Sequence, residues 1–202
     1  MRNAHAAFIA AIDSALELSA IFDFGTKHIR IPLNFDDLLR AQTVYAVSAF
    51  DKLMHDVVRI GMVESFCGLR QRTSRFLKEP IPFETYQDIM IASVPPPAHY
   101  FERSVARRHQ HQSFQDPDKV AEALSLIWDS DDKWAKVASK LGGTTGPQVR
   151  TRLKAICDRR NKIVHEADVD PSTGVRFPIT KVDSEGVCDF LRRCGTAIVD
   201  LI

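Results

Sequence analysis

Small or apolar residues recur at three- and four-residue spacing over most of the chain, the period of helices with one face turned inward. Phe8, Ile12, Ala15, Leu16 and Ser19 share a face, which predicts a helix over residues 3 to 20, ended by the Phe22-Asp23-Phe24-Gly25 stretch. An extended piece over 27 to 33 is expected next. Asn34 then stands where a cap is needed, and Asp36 and Asp37 fall in the first turn, against the positive end of the helix dipole. From Phe35 to Val63 the apolar positions Leu38, Leu39, Val44, Val47, Phe50, Leu53, Met54, Val57, Val58 and Ile60 are too many for a one-sided surface helix, so this helix is expected at the centre of the core.

Between Leu69 and Pro97 the prolines Pro80, Pro82, Pro95, Pro96 and Pro97 confine the chain to one or two short helices between fixed turns. Further helices are expected over Ala98 to Gln112, from Asp116 or Pro117 through Leu124 to Trp128, and from Asp131 to Gly142-Gly143. The next begins near Thr145 or Pro147 and carries Val149, Leu153, Ile156, Ile163 and Val164 as its stripe as far as Glu166, with a polar interruption over Cys157 to Lys162. Residues 168 to 174 read as a turn-rich loop, 175 to 179 as briefly extended, and a last helix starts at Val182 or Ser184. No repeat, heptad seam or Gly/Ser linker divides the sequence. The expected architecture is all-α, a single domain over residues 1–202 folded as an antiparallel helical bundle with irregular middle connections.

Composition narrows the function classes. With 202 residues and 45% hydrophobic content the chain can bury one full core, and a formal charge of +1 means that attraction to nucleic acid must come from local patches. Cys67, Cys157, Cys188 and Cys194 form neither a CxxC pair nor a zinc spacing with His, so no metal and no other cofactor is expected. Asp13, Ser14 and Glu17 interrupt the apolar residues of the N-terminus, which excludes a secretory core or membrane span there and points to a reduced, cytoplasmic protein.

The candidate chemistry lies in CDRRNKIVHEAD, residues 157 to 168. An Arg followed by four to six residues and a His is a weak pattern alone: seventeen Arg and seven His in this length give about two matches by chance, and Arg103 with His109 is one of them. The surroundings of Arg160 and His165 say more. The segments LRAQTVYAVSAFDKLMHDVV, SFQDPDKVAEALSLIWDSDDKWAKVASKLGG and VRTRLKAICDRRNKIVHEADVDPSTG resemble the RiboL-PSP subgroup of the HEPN superfamily over about half of the chain. That resemblance implies a helical domain that dimerises, with Arg160 and His165 as the catalytic pair, Asn161 as the polar position after the Arg, and the residues of both protomers lining one cleft where RNA is cut.

Elementary chemistry fits these residue types. RNA can be cleaved without a metal when its own 2′-OH attacks the neighbouring phosphorus, which requires proton transfer and neutralisation of charge on the phosphoryl oxygens. An imidazole titrates near neutrality and can move the proton; a guanidinium holds two phosphate oxygens and stays cationic. On a helix Asn161 and His165 nearly stack, whereas Arg160 lies about 140° round the axis from His165. One helix therefore converges poorly, and a two-fold partner helix would complete the site.

Other residues carry both a functional and a plainer reading. Asp51 and His55, four apart, are candidates to support the site or to form a local helix contact. Arg159 and Lys162, with Arg107 and Arg108 in the Arg- and His-rich cluster that ends at His111, are candidates to hold RNA phosphates or to be solvated helix faces. Glu166 and Asp168 can orient His165 or simply end its helix. Trp128 and Trp134 read as core anchors. The resemblance implies a metal-independent endoribonuclease acting as toxic effector of a prokaryotic defence or toxin-antitoxin system, with an antitoxin or regulatory protein as a further partner. The competing reading is a non-catalytic helical module that binds RNA, a nucleotide or a protein.

Overall fold

A computed structural model describes residues 1–30 and 33–202. The described residues form nine helices and no strand: α1 (Arg2–His28), α2 (Asp36–Phe66), α3 (Ser74–Leu77), α4 (Phe83–Ile91), α5 (Pro97–His109), α6 (Pro117–Leu124), α7 (Lys133–Leu141), α8 (Gly146–His165) and α9 (Lys181–Leu201). This is the all-α bundle that the periodicity predicts. No helix among these residues is long and apolar enough to cross a membrane.

Three long helices make the frame. Phe8, Ile12 and Ala15 of α1 meet Phe50, Leu53, Met54 and Val57 of α2 and Leu191, Cys194 and Ile198 of α9 in one apolar cluster. Contacts fix the directions. His5 reaches Thr196 and Lys181 reaches Asp23, so α1 and α9 run antiparallel; Ser184 bonds the Leu39 carbonyl, and Gly195 lies against Leu53, so α9 and α2 run parallel. The α1–α9 crossing is close because Gly195 has no side chain: a Cβ there would stand 2.6 Å from Phe8 and 2.9 Å from Leu53. Leu53 is 1% exposed, and truncating such a residue costs about 2–5 kcal/mol.

Most helix starts follow from their caps. Asp116 caps α6, and Thr145 and Gln148 form a reciprocal capping box on α8, whereas the N-cap of α2 is Phe35 and not Asn34, whose Oδ1 accepts from the Asp36 amide at 2.7 Å from one residue further out. Asp132, one residue after the position expected, caps α7, and Thr180 caps α9, which starts slightly earlier than its apolar pattern suggests. Trp128 and Trp134 are buried in the core, the latter donating to the Pro117 carbonyl at 3.2 Å.

Two expectations are corrected. The first helix does not stop at Phe22–Gly25 but continues to His28, so Lys27 and His28 are helical and only Ile29 turns extended. A glycine inside a helix costs about 1 kcal/mol, and here it makes room for Phe35, whose ring would stand 2.9 Å from a Cβ on Gly25. The rest of the extended piece expected over 27 to 33 falls partly on residues 31 and 32, outside the described residues. Residues 175 to 179, expected to be briefly extended, hold one bridge, from Arg176 to Val169. The helix expected over 98 to 112 ends at His109, where the chain turns into a strap, residues 110–116, that crosses towards α8.

Candidate functional site

The site grows from the end of α8. Val149, Leu153, Ile156 and Cys157 are its buried positions. Arg160 follows Leu153 by seven residues, about 20° from the same line, so the core-facing stripe of α8 runs directly into a guanidinium where the core ends. That explains why Arg160 is half-buried although it belongs to a run of charged residues. Its Nη1 donates to Gln115 Oε1 at 3.2 Å and to Asn161 Oδ1 at 3.1 Å, while its Nε is sealed from solvent with no partner. No carboxylate among the described residues comes within 4 Å, in contrast to Arg40, Arg59, Arg70 and Arg159.

Gln115 reaches Arg160 because the strap is pinned to α2. Asp51 Oδ1 accepts from the Phe114 amide at 2.6 Å, and His55 Nε2 donates to the Gln112 carbonyl at 3.1 Å, its ring lying edge-on to Phe114 at 4.6 Å. A carbonyl acceptor fixes the proton on Nε2. Asp51 and His55 lie 3.7 Å apart and act on the strap, one step removed from Arg160. Gln115 itself offers no signal in the sequence: it is an isolated amide in a loop.

His165, the last residue of α8, is exposed and makes no hydrogen bond or ion pair among the described residues. Among the described residues no hydrogen bond or ion pair bridges it to Arg160. Glu166 is exposed just past the helix end, its amide bonded to the Lys162 carbonyl.

The four basic residues considered for phosphate contacts divide evenly. Lys162 and Arg107 are exposed, Lys162 lying 5.0 Å from the Phe177 ring centre. The other two are already engaged. Arg108 pairs with Glu79 and bonds the Pro80 carbonyl. Arg159 Nη2 donates to Asp168 Oδ2 at 2.8 Å and to the Pro178 carbonyl at 3.1 Å, which makes it part of the framework.

Asp168, a sequence candidate to orient His165 or end its helix, is fully buried, and Arg40 of α2 donates to the same Oδ2 from Nε at 2.8 Å, an ion pair the motif alone does not announce. The available hint is Arg40 itself, a charge between the core residues Leu39 and Thr43. Cys157, one turn before Arg160, offers no nucleophile, because burial pushes its thiol up to about 12.

The family model described as RiboL-PSP-HEPN matches residues 11–202, and the chain belongs to that family. HEPN domains are generally associated with ribonucleases, so this is a nuclease- or RNA-related module. No curated protein and no solved structure gives a significant match.

Proposed function

We propose that this protein is a metal-independent endoribonuclease whose cleft is completed by a second copy, and that it acts as the toxic effector of a prokaryotic defence or toxin-antitoxin system. The observation that carries the reading is Arg160: a half-buried guanidinium held by two amides, with no carboxylate of the described residues within 4 Å. A partly desolvated cation without a counter-ion favours an incoming anion, and the planar fork suits two oxygens of a phosphodiester.

In the reaction, the 2′-oxygen of the substrate attacks the adjacent phosphorus as a base removes its proton. The bond to the 5′-oxygen breaks, an acid returns a proton to that oxygen, and a 2′,3′-cyclic phosphate and a 5′-hydroxyl result. Arg160 neutralises the charge that grows on the non-bridging oxygens. His165, solvent-facing and free of internal partners, is available for proton transfer. The 140° between the two residues on one helix, with no contact between them, supports a cleft that pairs Arg160 of one copy with His165 of the other. Lys162 and Arg107 remain free to hold flanking phosphates.

Controlled expression in a bacterial host tests this. The wild type is expected to arrest growth and fragment cellular RNA, Arg160→Ala and His165→Ala each to abolish both effects, and co-expression of the two variants to restore part of them, since a mixed dimer keeps one intact Arg/His cleft. Arrest that ignores both substitutions would overturn the nuclease. Failure of the mixture to restore any effect would overturn the shared cleft.

A further inference from the structure

We infer that Asp168, gripped by Arg40 and Arg159, is a positioning residue for His165. The inference rests on the reading of His165 as a proton-transfer group, but its physical core, that the clamp holds the end of α8 in place, can be tested without any RNA.

His165 is the final residue of α8, and its side chain makes no hydrogen bond or ion pair among the described residues. What fixes its place is therefore the backbone around it. The turn that follows is unusual: Ala167 and Asp168 both have positive φ, 52° and 60°, a conformation that residues with a Cβ adopt rarely and keep only when their surroundings enforce it.

The enforcement converges on Asp168 from every side. Its amide donates back to the Lys162 carbonyl at 3.0 Å, the acceptor that also takes the Glu166 amide at 2.9 Å, so the last turn of α8 is closed over by the residue beyond it. Its carbonyl accepts from the Phe177 amide at 2.8 Å. Its Oδ2 takes Arg40 Nε and Arg159 Nη2, each at 2.8 Å, while Oδ1 has no partner, so the whole grip passes through one oxygen.

The two guanidiniums come from different elements. Arg40 belongs to the central helix α2 and also donates to the Phe177 carbonyl at 2.8 Å; Arg159 belongs to α8 and packs 5.3 Å from the Phe177 ring centre. The clamp thus ties the turn after His165 both to the core helix and to the helix that carries Arg160. Of the adjacent arginines, Arg159 sets the frame and Arg160 faces the cleft. A catalytic imidazole misplaced by about 1 Å can lose about 100-fold in rate, which gives a rigid support here a functional consequence beyond stability.

The test uses the full chain with isotope-labelled His and backbone, as wild type, Asp168→Asn and Arg40→Lys; the lysine variant keeps the charge but lacks the fork, and stands in should the asparagine variant not fold. Backbone relaxation at His165 and RNA cleavage are measured on the same samples. The wild type is expected to show an order parameter near the rigid value of about 0.85 at His165, falling below about 0.6 in the variants, with kcat down at least 10-fold and KM within about two-fold. An unchanged order parameter at His165 in a folded variant overturns the clamp whether or not RNA is cut. Increased mobility with an unchanged kcat overturns the positioning role. A wild type that is rigid at His165, is loosened by the variants and yet never cuts RNA would sink the nuclease reading and with it the catalytic purpose of the clamp.

Discussion

Arg160 donates from Nη1 to Gln115 Oε1 at 3.2 Å, so the guanidinium at the end of α8 is held by an uncharged amide where the protein's other half-buried arginines are mostly held by carboxylates. The amide orients the fork without cancelling its charge. Because Gln115 is carried by a strap that Asp51 and His55 pin to α2, the orientation of Arg160 depends on residues from three separate parts of the chain.

Gln115→Ala and Gln115→Glu therefore act differently. The alanine variant loses orientation alone and is expected to cut RNA about 10-fold more slowly. The glutamate variant supplies the missing counter-ion and is expected to be slower still, with weaker RNA binding. Binding and single-turnover cleavage rank the three proteins; a glutamate variant as active as the wild type would contradict the role given to Arg160.

Urea unfolding should separate the two arginines that hold Asp168, Arg40 above all, from Arg160. Arg159→Ala removes one of two cations from a buried carboxylate and is expected to cost about 1 kcal/mol, the modest figure reflecting the exposure of Arg159 and the remaining Arg40. Arg40→Ala breaks the buried pair and should cost about 3–5 kcal/mol. Arg160→Ala removes a guanidinium with a sealed, unpartnered N–H and should change stability by less than about 1 kcal/mol in either direction. A large loss on Arg160→Ala would make that residue structural.

The architecture could be read from sequence because it rests on local causes. Apolar spacing marks α2 and α9, and Asp116 and Thr145 announce their helices by side-chain chemistry that acts within three residues. The end of α1 is not legible in the sequence because Gly25 breaks a helix only when nothing offsets it, and the ring of Phe35 that offsets it approaches through the folded structure. The site divides in the same way. Arg160, Asn161, His165 and Asp168 stand in one short motif, whereas Gln115 and Arg40 meet it from 45 and 120 residues away from Arg160, and only the fold brings them there. Nor does the sequence separate Arg159 from Arg160, since the difference is about 100° of helix rotation.

His109 makes stability depend on pH. It is 5% exposed, its Nδ1 has no partner, and burial holds its imidazole below the ordinary value of 6.5. The unfolded chain consequently takes up the proton first, so the contribution of His109 is complete above pH 6.5 and is lost as pH falls from there through the folded value. Unfolding free energies at pH 7.5 and 5.5 should show the loss, and His109→Phe should reduce it; an unchanged pH slope in the variant would contradict the assignment.

The four thiols should react unequally. Burial pushes Cys157 and Cys194 up to about 12 and raises Cys188, while Cys67 is exposed. Iodoacetamide at pH 7.5 is expected to label Cys67 alone in the native protein and all four in urea. Rapid native labelling of Cys157 would show that α8 packs less firmly than described.

The most direct measurement is cleavage of end-labelled RNA by purified protein in excess EDTA, with the ends of the fragments identified. The wild type is expected to cut, leaving 2′,3′-cyclic phosphate and 5′-hydroxyl ends, to spare a DNA strand of the same sequence, and to lose at least 100-fold in rate on either Arg160→Ala or His165→Ala. Fragments bearing 5′-phosphates, or a rate indifferent to both substitutions, would contradict the account.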